Sequence, residues 1–223
     1  MGVKELMAIF KDRVDAGRKL AKELSEYANR SDVIILALPR GGVPVAFEVA
    51  KELNVKMDIF IVRKLGVPEN KELAMGAIAS DNIRVLNEEV IRSFQIPQRV
   101  IDEVAGNELR ELERRERLYR GNRPKPDISG STVILIDDGL ATGATMRAAA
   151  AAVKTKNPAK IVIAVPTAAP DTCRAFEDEV DETICVDTPG PFYGVGAWYE
   201  DFSKTTDTEV CELLDKAAKI KPK

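Results

Sequence analysis

Val133-Ile-Leu-Ile-Asp137-Asp138-Gly139-Leu140-Ala141-Thr142-Gly143-Ala144-Thr145 is the stretch that decides how this chain folds. Thr132–Ile136 is almost wholly apolar, as expected of a strand buried on both faces of a parallel sheet. Two adjacent carboxylates follow at the strand's end. A short loop then bends through Gly143 into Thr145–Lys156, an Ala-rich run with helical character. Free amides at a helix start, with the Thr142 and Thr145 hydroxyls, form a cradle for phosphate. Carboxylates just before it can accept hydrogen bonds from vicinal sugar hydroxyls. The segment suits a sugar with a terminal phosphate. Its plainer alternative is a capped turn with acids at a helix N-terminus. No Gly-Lys-Ser/Thr occurs, so this is not a Walker A loop, and Gly194-Val195-Gly196 lacks the third glycine of a dinucleotide fingerprint.

Outward from that stretch, apolar strands alternate with helical periods. Val33–Leu38, Asp58–Val62, Ile161–Val165 and Thr183–Val186 are the other core strand candidates. Ala74–Ala79 and Arg84–Leu86 suggest short strands after a turn-rich run, Gly66–Asn70. Helices are expected in Met1–Asn29 (from Phe10, Val14, Ala21 and Leu24), Val45–Leu53, Glu88–Phe94, Pro97–Arg120, Pro170–Glu177 and Glu209–Lys219. The pattern predicts an α/β fold with a mostly parallel central sheet flanked by helices. Ligands of such sheets sit beyond the carboxyl ends of the strands, after Leu38, Val62 and Ile136.

Composition narrows the chemistry. The 223 residues are 45% hydrophobic and 31% charged, with a net charge of −3, as in an ordinary globule that is no general binder of nucleic acid or membrane surfaces. The N-terminus does not read as a signal peptide, and no apolar run reaches membrane-spanning length. Cys173, Cys185 and Cys211 are scattered and odd in number, so a reduced cytoplasmic protein is expected. There is no histidine, which removes Ser-His-Asp and Cys-His catalysis. Chemistry must fall to carboxylates, Lys, Arg, backbone amides or a borrowed metal.

Val133–Thr145 resembles the signature of type I phosphoribosyltransferases, which bind phosphoribosyl pyrophosphate (PRPP) through a strand, two acids and Thr-Gly-x-Thr. Leu38-Pro-Arg-Gly-Gly-Val-Pro44 falls where that family has its pyrophosphate loop, and Val62-Arg-Lys-Leu-Gly66 is similar to an Arg-Lys segment of several members. The blocks PRGGVPVA, VRKLGVP, ELAMGA and DDGLATGAT resemble a bacterial and archaeal branch nearly end to end. The resemblance implies one phosphoribosyltransferase domain over 1–223, with its core at about 30–168 and a small hood from the N-terminal helix, 183–223, or both. It implies that Asp137 and Asp138 hold the ribose hydroxyls and that Ala141, Thr142, Gly143, Ala144 and Thr145 hold the 5′-phosphate. Arg40, Gly41 and Gly42 would contact pyrophosphate; Lys64, Arg63 and Asp138 are the expected catalytic residues. Mg²⁺ would be held mainly by the substrate and water.

Pro189–Phe202 concentrates five aromatics, and Phe192, Tyr193 and Trp198 are the candidates to stack on a flat acceptor; a small apolar core of the hood is the competing expectation. Glu108–Arg120 looks basic, but Glu111–Arg115, Glu113–Arg117 and Glu116–Arg120 have i,i+4 spacing, which fits a solvated helix face. Part of that helix could close over the site, by the same resemblance. Two functions follow: an enzyme transferring phosphoribose to an acceptor, a nucleobase by preference, or a PRPP-responsive regulator without turnover. Partners are then small molecules, with no nucleic acid or membrane, and a homodimer is compatible with the chain.

Overall fold

The computed structural model describes residues 8–68 and 70–220, the side chains of 71 and 72 excepted. Helix α1 (Arg13–Glu23) leads into β1 (Val33–Ala37), α2 (Gly42–Leu53) and β2 (Lys56–Ile59). The chain then leaves the main sheet as β3 (Val62–Val67), β4 (Asn70–Ala79), β5 (Ile83–Leu86), α3 (Glu88–Ser93) and α4 (Gln98–Arg120). It returns as β6 (Thr132–Ile136), α5 (Ala144–Lys154), β7 (Lys160–Thr167), α6 (Pro170–Glu177) and β8 (Glu182–Asp187), with α7 (Asp207–Ala217) last.

Strands β2, β1, β6, β7 and β8 form, in that order, one parallel sheet; β3, β4 and β5 form a separate antiparallel sheet. The fold is therefore α/β with a parallel core, as the apolar strands predict. Both faces of that core are covered. Val33, Ile35 and Ala37 pack toward α1, α2 and α7, while Ile34, Leu36 and Leu38 pack toward α5 and α6. Each such large side chain contributes about 1.5–3 kcal/mol on burial, which is why the strands tolerate no polar alternation.

From β1 the chain crosses to β2 on one side, and from β6 it crosses to β7 on the other. The order reverses between β1 and β6, which pair directly from Val33↔Thr132 to Ala37↔Ile136. The loops leaving their carboxyl ends therefore lie side by side at a topological switch point.

Several expectations need correction. Residues 1–7 of the expected N-terminal helix lie outside the described residues. Phe10 is extended and bridges to Tyr199, and α1 starts only at Arg13, capped by Asp12. Val14 is exposed, and Ala16, Gly17, Leu20 and Ala21 form the buried stripe instead. Asp58–Val62 is not one strand: β2 stops at Ile59 and β3 starts at Val62. Arg63 and Lys64 thus lie inside an antiparallel hairpin strand rather than past the end of a core strand, and the run Gly66–Asn70 turns only around Pro68. The cysteines are not all reduced: Cys173 of α6 and Cys185 of β8 form a disulfide with Cα atoms 6.6 Å apart, and Cys211 is free. Packing of α6 on β8 brings that pair together, which spacing in the sequence does not reveal.

On α4, Glu111 bonds Arg115 at 2.8 Å and Glu113 lies 3.8 Å from Arg117. The third expected pair is replaced: Glu116 bonds Lys125 at 2.8 Å, and buried Arg120 pairs with Asp58 of β2. Among the described residues, no helix is long and apolar enough to cross a membrane.

Candidate functional site

Past β6, the Asp137 carboxylate accepts a hydrogen bond from the Asp138 amide at 2.9 Å, turning the chain sharply. Gly143 caps α5 in the left-handed region, with φ +71°, where a side chain is strained. A Cβ there would also lie 2.7 Å from the Phe176 ring and 2.9 Å from Thr172, both on α6. The Thr172 hydroxyl donates to the Ala141 carbonyl at 2.7 Å. Helix α6 thus supports the loop from below. Ala141, Thr142, Ala144 and Thr145 remain exposed above it, at the amide-rich start of α5.

The neighbouring loop after β1 contains a cis peptide bond between Pro39 and Arg40. Its glycines are demanded by the acidic loop itself. A Cβ on Gly41 would lie 1.9 Å from Asp138 Oδ2, and one on Gly42 would lie 2.7 Å from the Ile136 carbonyl oxygen. Arg40 reaches Asp207, at the start of α7, at 3.5 Å. Tyr119 donates to the same carboxylate at 2.6 Å. Burial, then that bond, pushes the Tyr119 phenol up to about 12.

Arg63 and Lys64 both border a cleft against α4, and Lys64 borders a second one as well. Arg63 forms an ion pair with Glu108 of α4 at 2.6 Å. Lys64 lines a cleft of about 320 Å³ between the hairpin and α5, together with Ala144 and Thr145. The structure therefore brings Lys64 beside Ala144 and Thr145, two of the residues expected to hold phosphate. Neither cation stands at the carboxyl end of a core strand.

The aromatic segment arches over the acids. Trp198 is buried, Phe192 packs on it with centroids 6.2 Å apart, and Tyr193 is 69% exposed. Trp198 also accepts the Ile9 and Phe10 amides through its carbonyl. Of the three aromatic candidates, Tyr193 offers the most open ring. Tyr199 and Phe202 stack at 5.0 Å, and the Tyr199 hydroxyl donates to the Asp138 carbonyl at 2.6 Å. Burial, then the Asp138 charge, raises the Tyr199 phenol and keeps it protonated.

Sequence reasoning misses Arg13. Its Nε donates to Asp138 Oδ2 at 2.9 Å, its Nη2 pairs with the same oxygen at 2.8 Å, and its Nη1 donates to the Ser203 carbonyl at 2.7 Å. Thr172 and Tyr199 escape as well, because nothing local marks residues whose partners are far along the chain. Both carboxyls titrate above the ordinary range. Asp137 keeps some solvent contact, yet enclosure by the protein, then the neighbouring Asp138 charge, pushes it well up. For Asp138, burial raises the value while Arg13 pulls it back.

The acid pair and the start of α5 stand at a topological switch point, where α/β sheets bind their ligands. Residues 7–190 match the phosphoribosyl transferase domain family. Two provisionally named phosphoribosyl transferases of Mycobacterium tuberculosis, from strains CDC 1551 and H37Rv, are each 44% identical over 211 residues, 95% of this chain. That match covers 47% of each of them, so the chain spans about half the length of these curated relatives. The crystal structure of TT1426 from Thermus thermophilus superposes with a TM-score of 0.84 at 38% identity, covering 93% of this chain and 98% of that one. The chain belongs to the phosphoribosyl transferase family.

Proposed function

We propose that this chain binds PRPP and transfers its 5-phosphoribosyl group to an acceptor, a nucleobase by preference, releasing pyrophosphate. The observation that carries the proposal is the side-by-side arrangement of the Asp137–Asp138 loop and the Arg40–Gly42 loop, with the start of α5 adjoining. Asp137 and Asp138 would accept the ribose 2′- and 3′-hydroxyls, and Ala141–Thr145 would hold the 5′-phosphate. Arg40, Gly41 and Gly42 would face the pyrophosphate, with Arg40 exchanging Asp207 for the leaving group. In the reaction the C1–O bond to pyrophosphate breaks, a C1–N bond to the acceptor forms, and the acceptor gives up a proton. Positive character develops on the sugar and negative charge on the leaving group, so positioned cations act on the transition state. Lys64 is the better placed of the two expected catalytic cations, because it borders a cleft with Ala144 and Thr145. Phe192, Tyr193 and Trp198 would border the acceptor, with Tyr193 the ring to stack on it.

Among the described residues, no cluster of three or more His, Cys, Asp or Glu could cage a metal. Mg²⁺ would be carried by diphosphate oxygens and water, where it would neutralise charge. The whole chain would act as one domain, its core at about 30–168 under a hood from the N-terminal segment, 183–223, or both. A phosphorylated sugar substrate favours the cytoplasm, although the Cys173–Cys185 disulfide is unusual there. The test incubates the protein with PRPP, Mg²⁺ and a panel of bases and reads pyrophosphate release. Release with one base is expected. Tight PRPP binding without release from any acceptor would replace the enzyme with a PRPP-responsive regulator. Absence of PRPP binding would end both.

A further inference from the structure

Arg13 enters the site from an unexpected quarter. It is the first residue of α1, 125 positions before Asp138. Its guanidinium is the cation that the structure brings to the acid pair, among the described residues. Both partners are largely covered, with side chains 12% and 15% exposed. The guanidinium is also immobilised. Its third nitrogen bonds the Ser203 carbonyl, and its carbon lies 4.0 Å from the centre of the Phe202 ring. Phe202 stacks on Tyr199, whose hydroxyl holds the Asp138 carbonyl. Two residues over the site therefore converge on one aspartate, Arg13 on its side chain and Tyr199 on its backbone. Among the described residues no cation is in contact with Asp137: its carboxylate accepts from the Asp138 amide and faces the crowded Gly42.

We propose that Arg13 is a positioning residue of the sugar site: it selects Asp138 over Asp137 as the anionic carboxylate presented to the ligand and fixes its orientation. This rests on the sugar-binding role proposed above for the acid pair. Two carboxylates this close, in partly desolvated surroundings, resist holding two charges together. The proton goes to the one without a cation. A planar guanidinium that donates from Nε to one carboxylate oxygen and holds Nη2 2.8 Å from it also restricts rotation of the carboxylate, which a lysine could not do equally well. The groups facing Asp138 are Arg13 from α1, Asp137 beside it and Tyr199 above it. The loop after β1 meets it with uncharged Gly41, while Arg40 turns to Asp207.

Sugar hydroxyls donate best to an ionised carboxylate. A cation in contact keeps Asp138 ionised to lower pH, so removing it shifts the acid limb of ligand binding upward. The experiment measures PRPP binding with Mg²⁺ by calorimetry, from acid to alkaline pH, for wild type, Arg13→Gln and Arg13→Lys. Titration of the ligand's own phosphates is common to all three and cancels in the comparison. Arg13→Gln should move the acid limb up by about one pH unit or more, an affinity loss of about tenfold between the two limbs. The loss should shrink at high pH, and Arg13→Lys should keep its limb nearer to that of wild type. A limb that does not move, or a loss equal at every pH, overturns the role. Wild type that fails to bind PRPP at all overturns the site itself. A second measurement needs no variant at position 13. Carboxyl-carbon NMR titration of the wild-type protein, assigned with Asp137→Asn and Asp138→Asn, should show Asp137 keeping its proton to higher pH than Asp138. The reverse order refutes the proposal even if Arg13→Gln does not fold.

Discussion

Replacing either glycine of the loop after β1 with alanine adds the same methyl group, but the two methyls meet different things. On Gly42 it would fall 2.7 Å from the Ile136 carbonyl oxygen and 2.8 Å from the Asp137 Cα. Ordinary contact starts near 3.4 Å, so atoms must move by about 0.6 Å or more, and both obstacles are backbone in or beside the central strand β6. Overpacking of this kind costs about 1–3 kcal/mol, and a strand backbone that cannot rotate away argues for the upper end. At about 2–4 °C per kcal/mol for a chain of this size, Gly42→Ala should lower Tm by about 4–12 °C. On Gly41 the three nearest atoms all belong to the Asp138 side chain, the first at 1.9 Å. That carboxylate can swing aside only by leaving Arg13, so the cost should vanish once the side chain is gone. In an Asp138→Ala background, Gly41→Ala should cost little, a coupling of about 1 kcal/mol or more, whereas Gly42→Ala should cost the same in either background. Urea and thermal unfolding followed by circular dichroism give all the values. A Tm for Gly42→Ala within about a degree of wild type would refute the reasoning, as would a Gly41→Ala penalty that Asp138→Ala leaves untouched.

Gly106 is the contrasting case: it lies in α4 with nothing within 4 Å of an added methyl, so Gly106→Ala should stabilise the fold by about 0.5–1 kcal/mol, read as a higher urea midpoint. The Cys173–Cys185 bridge closes a short loop, and replacing both cysteines with serine should cost about 2–4 kcal/mol in the same assay, with dithiothreitol destabilising wild type and leaving the double variant unchanged.

What was legible in the sequence is what depends on neighbours along the chain. The β6 strand, the acid pair and the start of α5 occupy fourteen consecutive positions, Thr132–Thr145, and their order alone carries the strand–loop–helix geometry. The apolar strands likewise announce a sheet covered on both faces. Asp58-Ile-Phe-Ile-Val62 misleads because Phe60 and Ile61 are buried without belonging to either strand, so the apolar run hides the break between β2 and β3. Glu116 and Arg120 have ideal helical spacing, yet Lys125 and Asp58 offer better placed partners once the chain folds back. Tertiary contact overrides local pairing there. Arg13 was out of reach for the same reason: a basic residue near the start of a helix carries no mark of an aspartate 125 positions away. Cys173 and Cys185 meet only because α6 lies against β8.

The ion pair between Asp58 and Arg120 has a topological meaning as well. Asp58 sits in the edge strand β2 just before the chain departs, and Arg120 is the last residue of α4 just before it comes back, with a second nitrogen 3.4 Å from the Ile59 carbonyl. The whole detour from β3 to α4 is thus drawn shut at its neck, like a purse closed by one string. Length or sequence gained and lost inside the detour need not be transmitted to β1 and β6, whose ends carry the two facing loops. A lineage can remodel what covers the site while the spacing of the site's floor stays fixed.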